Sequence, residues 1–197
     1  MADASASAVN RSLRLVMLGP PGSGKGTQAE ILAERLGIPA ISTGEMLRRA
    51  VASGSTLGGR VEAIMASGAL VDDATMAEVV RERLTRDDAA SGYLLDGYPR
   101  TLAHAATLGR ILEENGSALD GVVFIDVPED ELVRRSLARQ RADDTEEVVR
   151  RRQEVYREKT SPLIEYYEGL GLLLRIDGDR PIEEVNDGIR GALGASS

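Results

Sequence analysis

A glycine-rich segment near the N-terminus constrains the fold of this chain more than any other feature. The run Gly19-Pro20-Pro21-Gly22-Ser23-Gly24-Lys25-Gly26-Thr27 follows the apolar residues 13–18 and precedes a stretch of helical periodicity over residues 28–36. Its glycines let consecutive backbone N–H groups turn towards an anion, and the positive end of the following helix points at the same place. The segment therefore predicts a strand, a phosphate-binding loop and a helix, in that order.

Two side chains of this loop indicate that the bound anion is the phosphate chain of a nucleotide with Mg²⁺. Lys25 adds a mobile charge for the outer phosphates of a nucleotide, and a hydroxyl at the end of the loop can hold Mg²⁺. The general pattern places that hydroxyl directly after the lysine, but here Gly26 stands there and Thr27 follows. A turn that binds nothing is the alternative, and the strand and helix patterns on either side argue against it.

The order of the apolar runs predicts the fold class. Each run is followed by helical periodicity, and the runs span residues 13–18, 38–41, 93–95, 122–127 and 172–176. We therefore predict an α/β fold with a five-stranded parallel sheet and helices on both faces. Ligands of such sheets bind beyond the carboxyl ends of the strands, where the glycine-rich loop, Ser42, Asp96 and Val127 all lie.

Two short helical stretches interrupt this alternation between Ser42 and Val71. They cover residues 45–52 and 59–66, and we interpret residues 42–71 as an inserted flap. Later in the chain, Asp144-x-x-Glu147 has the pattern of a capping box and predicts the start of a long helix, which Pro162 should kink or end.

Composition favours one compact domain, because 197 residues that are 42% hydrophobic can bury a substantial core. The chain has no cysteine, which excludes disulfides and thiolate zinc sites. Residues 1–12 are small and polar, so we expect a flexible N-terminal tail and not a signal peptide. No apolar run approaches membrane-spanning length, and a cytoplasmic protein is the expectation.

Charge argues against nucleic acid as the main partner, since the formal net charge is −8. Arginines are nevertheless concentrated in one part of this acidic chain. Seven of them fall within nineteen residues: Arg134, Arg135, Arg139, Arg141, Arg150, Arg151 and Arg152. A solvated helix face paired with Glu146, Glu147 and Glu154 would explain some of them, and we prefer that interpretation for Arg151.

A second motif, Tyr93-Leu94-Leu95-Asp96-Gly97-Tyr98-Pro99-Arg100-Thr101, combines a strand with a rigid turn. Asp96 at the strand end can reach Mg²⁺ through water, and Gly97 permits close approach of a ligand. Arg100 can grip a second phosphate with two hydrogen bonds. Together with the glycine-rich loop, this motif predicts two phosphate sites in one cleft.

Several motifs together resemble the adenylate kinase family of nucleoside monophosphate kinases, in its short-lid form. The family's loop is Gly-x-Pro-Gly-x-Gly-Lys-Gly-Thr, which accounts for the displaced hydroxyl at Thr27. Four further motifs match in the family's order: Ser42-Thr43-Gly44-Glu45-Met46-Leu47-Arg48, Leu70-Val71, Asp96-Gly97-Tyr98-Pro99-Arg100-Thr101, and Arg141-Ala142-Asp143-Asp144 with Arg152. Ile176-Asp177-Gly178 resembles its last adenine-side loop, and the similarity runs from about residue 13 to residue 193.

The resemblance implies an architecture and an activity. The architecture is a P-loop kinase core over residues 13–197, with an inserted NMP-binding flap at 42–71 and a short lid at 138–144. The activity is reversible phosphoryl transfer from MgATP to AMP, giving two ADP. ATP, AMP, ADP and Mg²⁺ are the implied partners, structural zinc is not expected, and a monomer is implied.

The resemblance also implies a role for each matching residue. Those implied in catalysis are Lys25, Arg100, Arg139, Arg141 and Arg152. Those implied in ATP binding are Gly22, Ser23, Gly24, Lys25, Gly26, Thr27, Arg135, Arg139 and Arg180, the last through nearby backbone. Those implied in AMP binding are Thr43, Arg48, Ala69, Leu70, Val71, Gly97, Tyr98, Pro99, Arg100, His104, Arg141 and Arg152. Thr27 and Asp96 are implied in Mg²⁺ binding, Asp96 through water.

Charge balance supports two facing nucleotides independently of the family. Counting about two charges per terminal phosphate, they bring roughly six negative charges into one cleft. Lys25, five or six arginines and Mg²⁺ offset about that many. An AMP phosphate oxygen is already ionised at neutral pH, so the transfer needs no general base.

One position departs from the family's pattern. Three residues after Thr101 the family usually has glutamine, whose amide offers a donor and an acceptor side by side to the adenine edge of AMP. Here the position holds His104, the one histidine of the chain. A neutral imidazole has its donor and its acceptor on different nitrogens. His104 either reads the base or is a partly exposed helix residue without ligand contact, and the backbone at residues 70–71 then reads the adenine.

Two other functions are also compatible with the sequence. A UMP/CMP-type kinase shares the same scaffold and differs in its acceptor. A non-catalytic nucleotide-binding switch is a different class of protein, but a GTPase normally carries Asn-Lys-x-Asp, and Asn10, Asn115 and Asn186 are not followed by lysine.

Overall fold

The structure, a computed structural model, describes residues 12–138 and 145–195 of the chain. Within these residues five parallel strands form one sheet in the order β2-β3-β1-β4-β5. The strands are β1 Leu13–Leu18, β2 Ala40–Ser42, β3 Gly92–Asp96, β4 Gly121–Asp126 and β5 Leu173–Asp177. The predicted fold class is confirmed, and each predicted strand lies within two residues of an observed one.

Helices cover both faces of the sheet, as predicted. In the described residues they are α1 Lys25–Leu36, α2 Thr43–Ala52, α3 Thr56–Ala66, α4 Asp73–Leu84, α5 Leu102–Glu114, α6 Glu129–Ala138, α7 Glu146–Val155, α8 Pro162–Gly169 and α9 Ile182–Ala195. A 3₁₀ turn occupies Asp87–Ala89, and a π-helical turn at Tyr156–Thr160 follows α7.

The central strand β1 shows why the sheet needs cover on both faces. Successive side chains of a strand point to opposite faces. Leu15 and Met17 belong to one buried cluster, while Val16 and Leu18 belong to the other. All four are at most 2% exposed. The unbroken apolar run of β1 is therefore the pattern of a strand buried on both sides.

Helices α2 and α3 lie between Ser42 and Val71, the span for which the sequence pattern predicts an inserted flap. Ser42 caps α2, because its hydroxyl accepts a hydrogen bond from the backbone N–H of Glu45. Ser55 caps α3 in the same way, through the N–H of Gly58 at 3.1 Å. Both predicted helices are confirmed, and each begins two or three residues earlier than the periodicity indicated, since the cap sets the start of a helix.

The predicted long helix in the last third of the chain differs from the structure in two ways. Thr145, and not Asp144, is the N-cap of α7, with its hydroxyl accepting from the N–H of Val148. The helix ends at Val155, before Pro162, and the π-helical turn separates it from α8. Pro162 is the first residue of α8, a position where the missing N–H has no helical partner to lose.

Two predicted segments fall largely outside the described residues. Of the predicted tail, residues 1–12, the structure describes Ser12. Of the predicted lid, residues 138–144, it describes Ala138, the last residue of α6. Among the helices of the described part, none combines the length and the apolar character that spanning a membrane requires.

Adjacent glycines in α3 provide a test of the α2–α3 packing. A Cβ at Gly58 would lie 2.1 Å from the carbonyl oxygen of Ala50, whereas a Cβ at Gly59 would meet nothing within 4 Å. We expect Gly58→Ala to lower the free energy of unfolding by about 2 kcal/mol because the two helices must move apart. Gly59→Ala should raise it by about 0.5–1 kcal/mol through helix propensity. Urea unfolding followed by circular dichroism measures both, and equal effects would contradict the packing.

Candidate active site

A cleft of about 690 Å³ lies at the carboxyl ends of the strands. Four loop regions line it: the glycine-rich loop after β1, the start of α2 after β2, the turn after β3, and the loop between β5 and α9. Among its described lining residues are seven basic side chains and two acidic ones: Lys25, Arg48, Arg100, Arg134, Arg135, Arg152 and Arg180 against Asp96 and Glu131. The excess of positive charge makes the cleft a site for polyanions.

The glycine-rich loop adopts the geometry expected of a phosphate cradle. Gly22 and Gly24 have φ angles of +90° and +89°, values that residues with a side chain rarely adopt. Gly24 is also the N-cap of α1, so the first N–H groups of that helix face the cleft without a capping side chain. Lys25 Nζ donates to the carbonyl oxygen of Pro20 at 2.9 Å, which folds the lysine back over the loop.

Helix α6 packs tightly under this loop and fixes its position. A Cβ at Gly22 would lie 2.3 Å from the carbonyl oxygen of Leu132 and 2.6 Å from Ser136 Oγ. Glycine at residue 22 is therefore required both by its backbone conformation and by the approach of α6. The loop and α6 must move together if either moves.

A second cradle lies between the start of α2 and the turn after β3. A Cβ at Gly97 would lie 2.8 Å from Thr43 Oγ1, 3.1 Å from Arg100 Nη2 and 3.7 Å from the backbone nitrogen of Gly44. A side chain at residue 97 would collide with Thr43 and Arg100, so glycine lets the turn approach the start of α2 this closely. The three polar groups line the cleft here, beside the N-terminus of α2.

Arg48 completes this second cradle. Both of its terminal guanidinium nitrogens lie within 3.7 Å of the position that a Cβ on Gly44 would take, and an Arg100 nitrogen lies 3.8 Å from the same point. Glu45 holds the guanidinium of Arg48 through hydrogen bonds of 3.1 and 3.2 Å. Two arginines and an amide N–H therefore converge as they would around a phosphate.

Electrostatics at Arg100 indicate a site prepared for an anion. The side chain is exposed to the open cleft, and its pKa is lowered from the usual arginine value, first because neighbouring protein groups displace part of the water around the guanidinium. The neighbouring cations Arg152 and Arg48 lower this pKa further, while Asp96 opposes the shift. Arginine stays charged in proteins, so the group remains a cation under this repulsion. A bound polyanion would relieve it.

Asp96 lies between the two cradles. Strand pairing aligns it with Met17 of β1 on one side and with Ser42 of β2 on the other. Ser42 Oγ donates to Asp96 Oδ2 at 3.3 Å, and the same carboxylate oxygen lies 3.8 Å from where a Cβ on Gly26 would be. The hydroxyl-bearing Thr27 is exposed in the cleft. Carboxylate and hydroxyl oxygens suit Mg²⁺, which keeps several of its waters in such sites.

A metal site built wholly from protein side chains is a separate question. In residues 12–138 and 145–195 no group of three or more His, Asp or Glu side chains is placed to hold a metal ion. The expectation that structural zinc is not used stays a prediction.

The far end of the cleft is shaped by α6 and the loop after β5. Arg135 donates to the carbonyl oxygen of Gly178 at 3.0 Å and to Asp179 Oδ1 at 3.1 Å. Glu131 accepts hydrogen bonds from both Arg134 and Arg135, and these bonds lower its pKa to about 2. Arg180 pairs with Asp177 at 2.9 Å. Arg135 therefore ties α6 to the loop that would border a nucleotide base.

Helix α7 and the π-helical turn after it together contact both cradles, which the sequence did not predict. Gln153 Nε2 donates to the carbonyl oxygen of Pro21 in the glycine-rich loop at 2.7 Å. Thr160, in the π-helical turn, donates to the carbonyl oxygen of Arg100 at 2.8 Å. Both side chains are 5% exposed, and Arg152 lines the cleft from the same helix. No local sequence pattern indicates either contact, because the residues that they join are 132 and 60 positions apart in the chain.

The predicted site residues that are described gather in this one cleft, with one exception. Tyr98 is fully buried beneath the turn and does not line the cleft. Arg139 and Arg141 lie outside the described residues. Arg150 and Arg151 are exposed and pair with Glu146 and Glu154, as preferred for Arg151 from the sequence.

His104 is not the partly exposed residue that one interpretation expected. Its side chain is 2% exposed, and it lines the cleft at the base of the second cradle. Ala69, Leu70 and Val71 line the cleft as well, and Val71 is 6% exposed. Val71 packs in the same buried cluster as Leu47 of α2 and Tyr98, so this apolar wall adjoins the elements that form the second cradle.

Comparison with known proteins agrees with this geometry. A family model described as adenylate kinase matches residues 17–172. Adenylate kinase from Thermus thermophilus is 53% identical over 184 residues, which cover 91% of this chain and 96% of that protein. Adenylate kinase 1 from Nostoc sp. is 49% identical over 182 residues, with 92% and 99% covered, and the Thermobifida fusca enzyme is 49% identical over 185 residues, with 92% and 98% covered. The chain belongs to the adenylate kinase family.

Proposed function

We propose that this protein transfers the terminal phosphoryl group of MgATP to AMP, reversibly, giving two ADP. The observation that carries the proposal is the presence of two anion cradles at the ends of neighbouring strands. Strands β1 and β3 are paired, with Met17 opposite Asp96, so the loops that follow them meet at one edge of the sheet. Adjacent strands are about 4.8 Å apart, which brings the donor and acceptor phosphates into one cleft.

The donor half is the glycine-rich loop. Residues 22–27 hold the phosphates of ATP with backbone N–H groups at the start of α1. Lys25 stabilises the charge that develops on the transferred group. Arg135 and the backbone near Arg180 border the adenine of ATP, where the loop after β5 is held against α6.

The acceptor half is the second cradle. Thr43, Arg48 and Arg100 hold the phosphate of AMP near the N-terminus of α2, where all three side chains line the cleft. Ala69, Leu70 and Val71 pack against its adenine. Arg152 lies in the cleft on α7, and it bridges the two phosphate chains. Gln153 of α7 contacts the first cradle, and Thr160 in the following turn contacts the second.

Magnesium fits the region between the halves. Thr27 and the water shell around Asp96 would hold the ion, which neutralises phosphate charge when it is bound with ATP. Asp96 serves as an oxygen ligand through water and not as a proton acceptor. The attacking oxygen of AMP is ionised at neutral pH, so the side chains act by positioning and electrostatic stabilisation.

Closure of the cleft protects the transferred group from water. The proposed flap is residues 42–71, which carry Thr43 and Arg48 at one end and Val71 at the other. The proposed lid is residues 138–144, which carry Arg139 and Arg141. Both arginines lie outside the described residues. On this proposal Arg139 covers ATP, and Arg141 bridges the phosphate chains of the two nucleotides.

The choice of acceptor is tested by a coupled assay with AMP, CMP, UMP and GMP at equal concentration. We expect AMP to be phosphorylated well ahead of the other three, because the acceptor cradle opens onto the apolar wall at Ala69–Val71. Faster turnover of CMP or UMP would replace the proposal with a UMP/CMP-type kinase. Binding of ATP without turnover of any acceptor would indicate a non-catalytic nucleotide-binding protein.

Neighbouring arginines of α7 offer a matched pair for testing the catalytic residues. We expect Lys25→Ala, Arg100→Ala and Arg152→Ala each to lower kcat by about a hundredfold or more, since each removes charge stabilisation inside the cleft. Arg151→Ala is the control, because Arg151 is exposed and pairs with Glu154 outside the cleft. Initial rates give kcat, and circular dichroism verifies the fold. Near-normal turnover in Arg152→Ala, or a loss in Arg151→Ala equal to it, would contradict these roles.

A further inference from the structure

Both ring nitrogens of His104 face groups of the protein. Nδ1 accepts a hydrogen bond from the backbone N–H of Arg100 at 3.2 Å. A backbone N–H can only donate, so Nδ1 carries no proton and the neutral ring has its hydrogen on Nε2. Nε2 lies 2.8 Å from Asp73 Oδ1, although that contact is not aligned as a hydrogen bond. The acceptor nitrogen of His104 is therefore occupied by the main chain and is not free for the base of AMP.

The surroundings of His104 hold the ring in this orientation. The ring of Tyr98 lies against it, with centroids 4.7 Å apart, and Tyr98 Oη donates to the carbonyl oxygen of His104 at 3.2 Å. The backbone N–H of His104 donates to Thr101 Oγ1 at 3.0 Å, since Thr101 caps α5. Tyr98 and His104 are both at most 2% exposed. A ring packed and tethered in this way has little freedom to turn towards a ligand.

The backbone carbonyl group of Arg100 is held by a hydrogen bond, as its N–H group is. Thr160 Oγ1 donates to the Arg100 carbonyl oxygen at 2.8 Å, from the π-helical turn after α7. The guanidinium of Arg100 in turn donates through Nε to the carbonyl oxygen of Gly97 at 2.8 Å. Side chains from two different helical segments thus fix the peptide groups on either side of the Arg100 Cα, and the direction of the arginine follows from them.

We infer that His104 is a positioning residue for the acceptor phosphate, and that with Thr160 it fixes the main chain of Arg100 instead of reading the edge of the adenine. Because Arg100 holds the AMP phosphate in the proposed function, the inference rests on that function. His104 acts at the phosphate end of AMP. The base is left to the wall formed by Ala69, Leu70 and Val71.

Protonation of His104 should break this arrangement. An imidazolium has a hydrogen on both nitrogens, so Nδ1 could no longer accept from Arg100. The pKa of His104 is lowered, mainly because burial removes water from the charged form and also through Arg100, while the carboxylates of Asp73 and Asp72 oppose the shift. Tyr98, packed on the ring, stays neutral because its own pKa is raised to about 12. A lowered histidine pKa keeps the hydrogen bond intact at neutral pH, and the bond is lost as the pH falls well below 6.5.

Two substitutions of His104 separate positioning from base reading. Asn places its Oδ1 where Nδ1 of histidine lies, so His104→Asn keeps an acceptor for Arg100. Gln extends towards the Nε2 position, so His104→Gln loses that acceptor but supplies the amide that a base-reading site would use. We expect His104→Gln to raise the KM for AMP about tenfold at pH 8 with the KM for ATP unchanged, and His104→Asn to recover most of that loss. The reverse ranking would overturn the inference and assign His104 to the base.

The same variants test the pH dependence. The AMP phosphate itself titrates near pH 6, so the wild type must be compared with His104→Asn and not considered alone. Between pH 8 and pH 5.5 the KM for AMP should rise more steeply in the wild type than in His104→Asn, which has no titrating group at this position. Parallel profiles would contradict the titration of His104 in this role.

Thr160 supplies an independent pair of variants. Thr160→Val keeps the shape of the side chain and removes the donor to the Arg100 carbonyl, whereas Thr160→Ser keeps the donor. We expect the KM for AMP to rise about tenfold in Thr160→Val and to return towards the wild-type value in Thr160→Ser. Equal values for the two variants would mean that the hydroxyl does not position Arg100.

Nuclear magnetic resonance reads the tautomer without any enzyme assay. The chain has one histidine, so a tag-free protein grown with ¹⁵N-labelled histidine gives one pair of ring nitrogen signals. We expect an unprotonated Nδ1 and a protonated Nε2 at pH 8, and a midpoint of titration below 6.5. A hydrogen on Nδ1 would overturn the inference even if AMP is the acceptor. Failure of the wild type to phosphorylate AMP, with the expected tautomer present, would instead overturn the proposed function.

Discussion

Pairing of β1 with β3 brings two anion-binding loops to one edge of the sheet, and the rest of the active site depends on that neighbourhood. A parallel sheet ends all of its strands on the same side, so the loops after Leu18 and Asp96 must share a cleft. The first loop brings Lys25 and the N-terminus of α1, and the second brings Arg100 close to the N-terminus of α2, which follows β2. The structure therefore concentrates like charges in a place where bound phosphates can compensate them. The pKa of Arg100 is lowered first by desolvation and then by the neighbouring cations Arg152 and Arg48.

Helix α7 and its π-helical turn give this charged cleft a common support. Gln153 holds the glycine-rich loop through Pro21, and Thr160 holds the acceptor turn through Arg100. Arg152, which lines the cleft, lies on the same helix. π-Helical turns are frequent at functional sites, and here the turn directs Thr160 to a carbonyl group 60 residues away in the chain. One helix thus sets where both phosphate loops stand.

His104 shows how tertiary structure changes the meaning of a sequence departure. Viewed against the family pattern, a histidine in place of glutamine suggests an altered base reader. In the fold the ring lies under the acceptor turn, and its Nδ1 is bonded to the Arg100 backbone. Under the proposed function, the substitution would bear on how the phosphate is held. The Nδ1 of a histidine accepts a hydrogen bond only when it is unprotonated, so the proposal also predicts that this part of the site responds to pH.

Sequence by itself determined the α/β class and the five strands to within two residues, and together with the family resemblance it indicated many of the described residues that line the cleft. Apolar runs, glycines in conformations that other residues rarely adopt, and polar residues at strand ends each indicate local structure within a few positions of the chain. It did not determine the cap at Thr145, the end of α7 at Val155, the burial of Tyr98, or the bonds of Gln153 and Thr160. Those depend on which side chain reaches a free carbonyl or N–H group from a distant part of the chain. Only the packed structure decides this, because buried polar groups must find their partners wherever the fold has placed them.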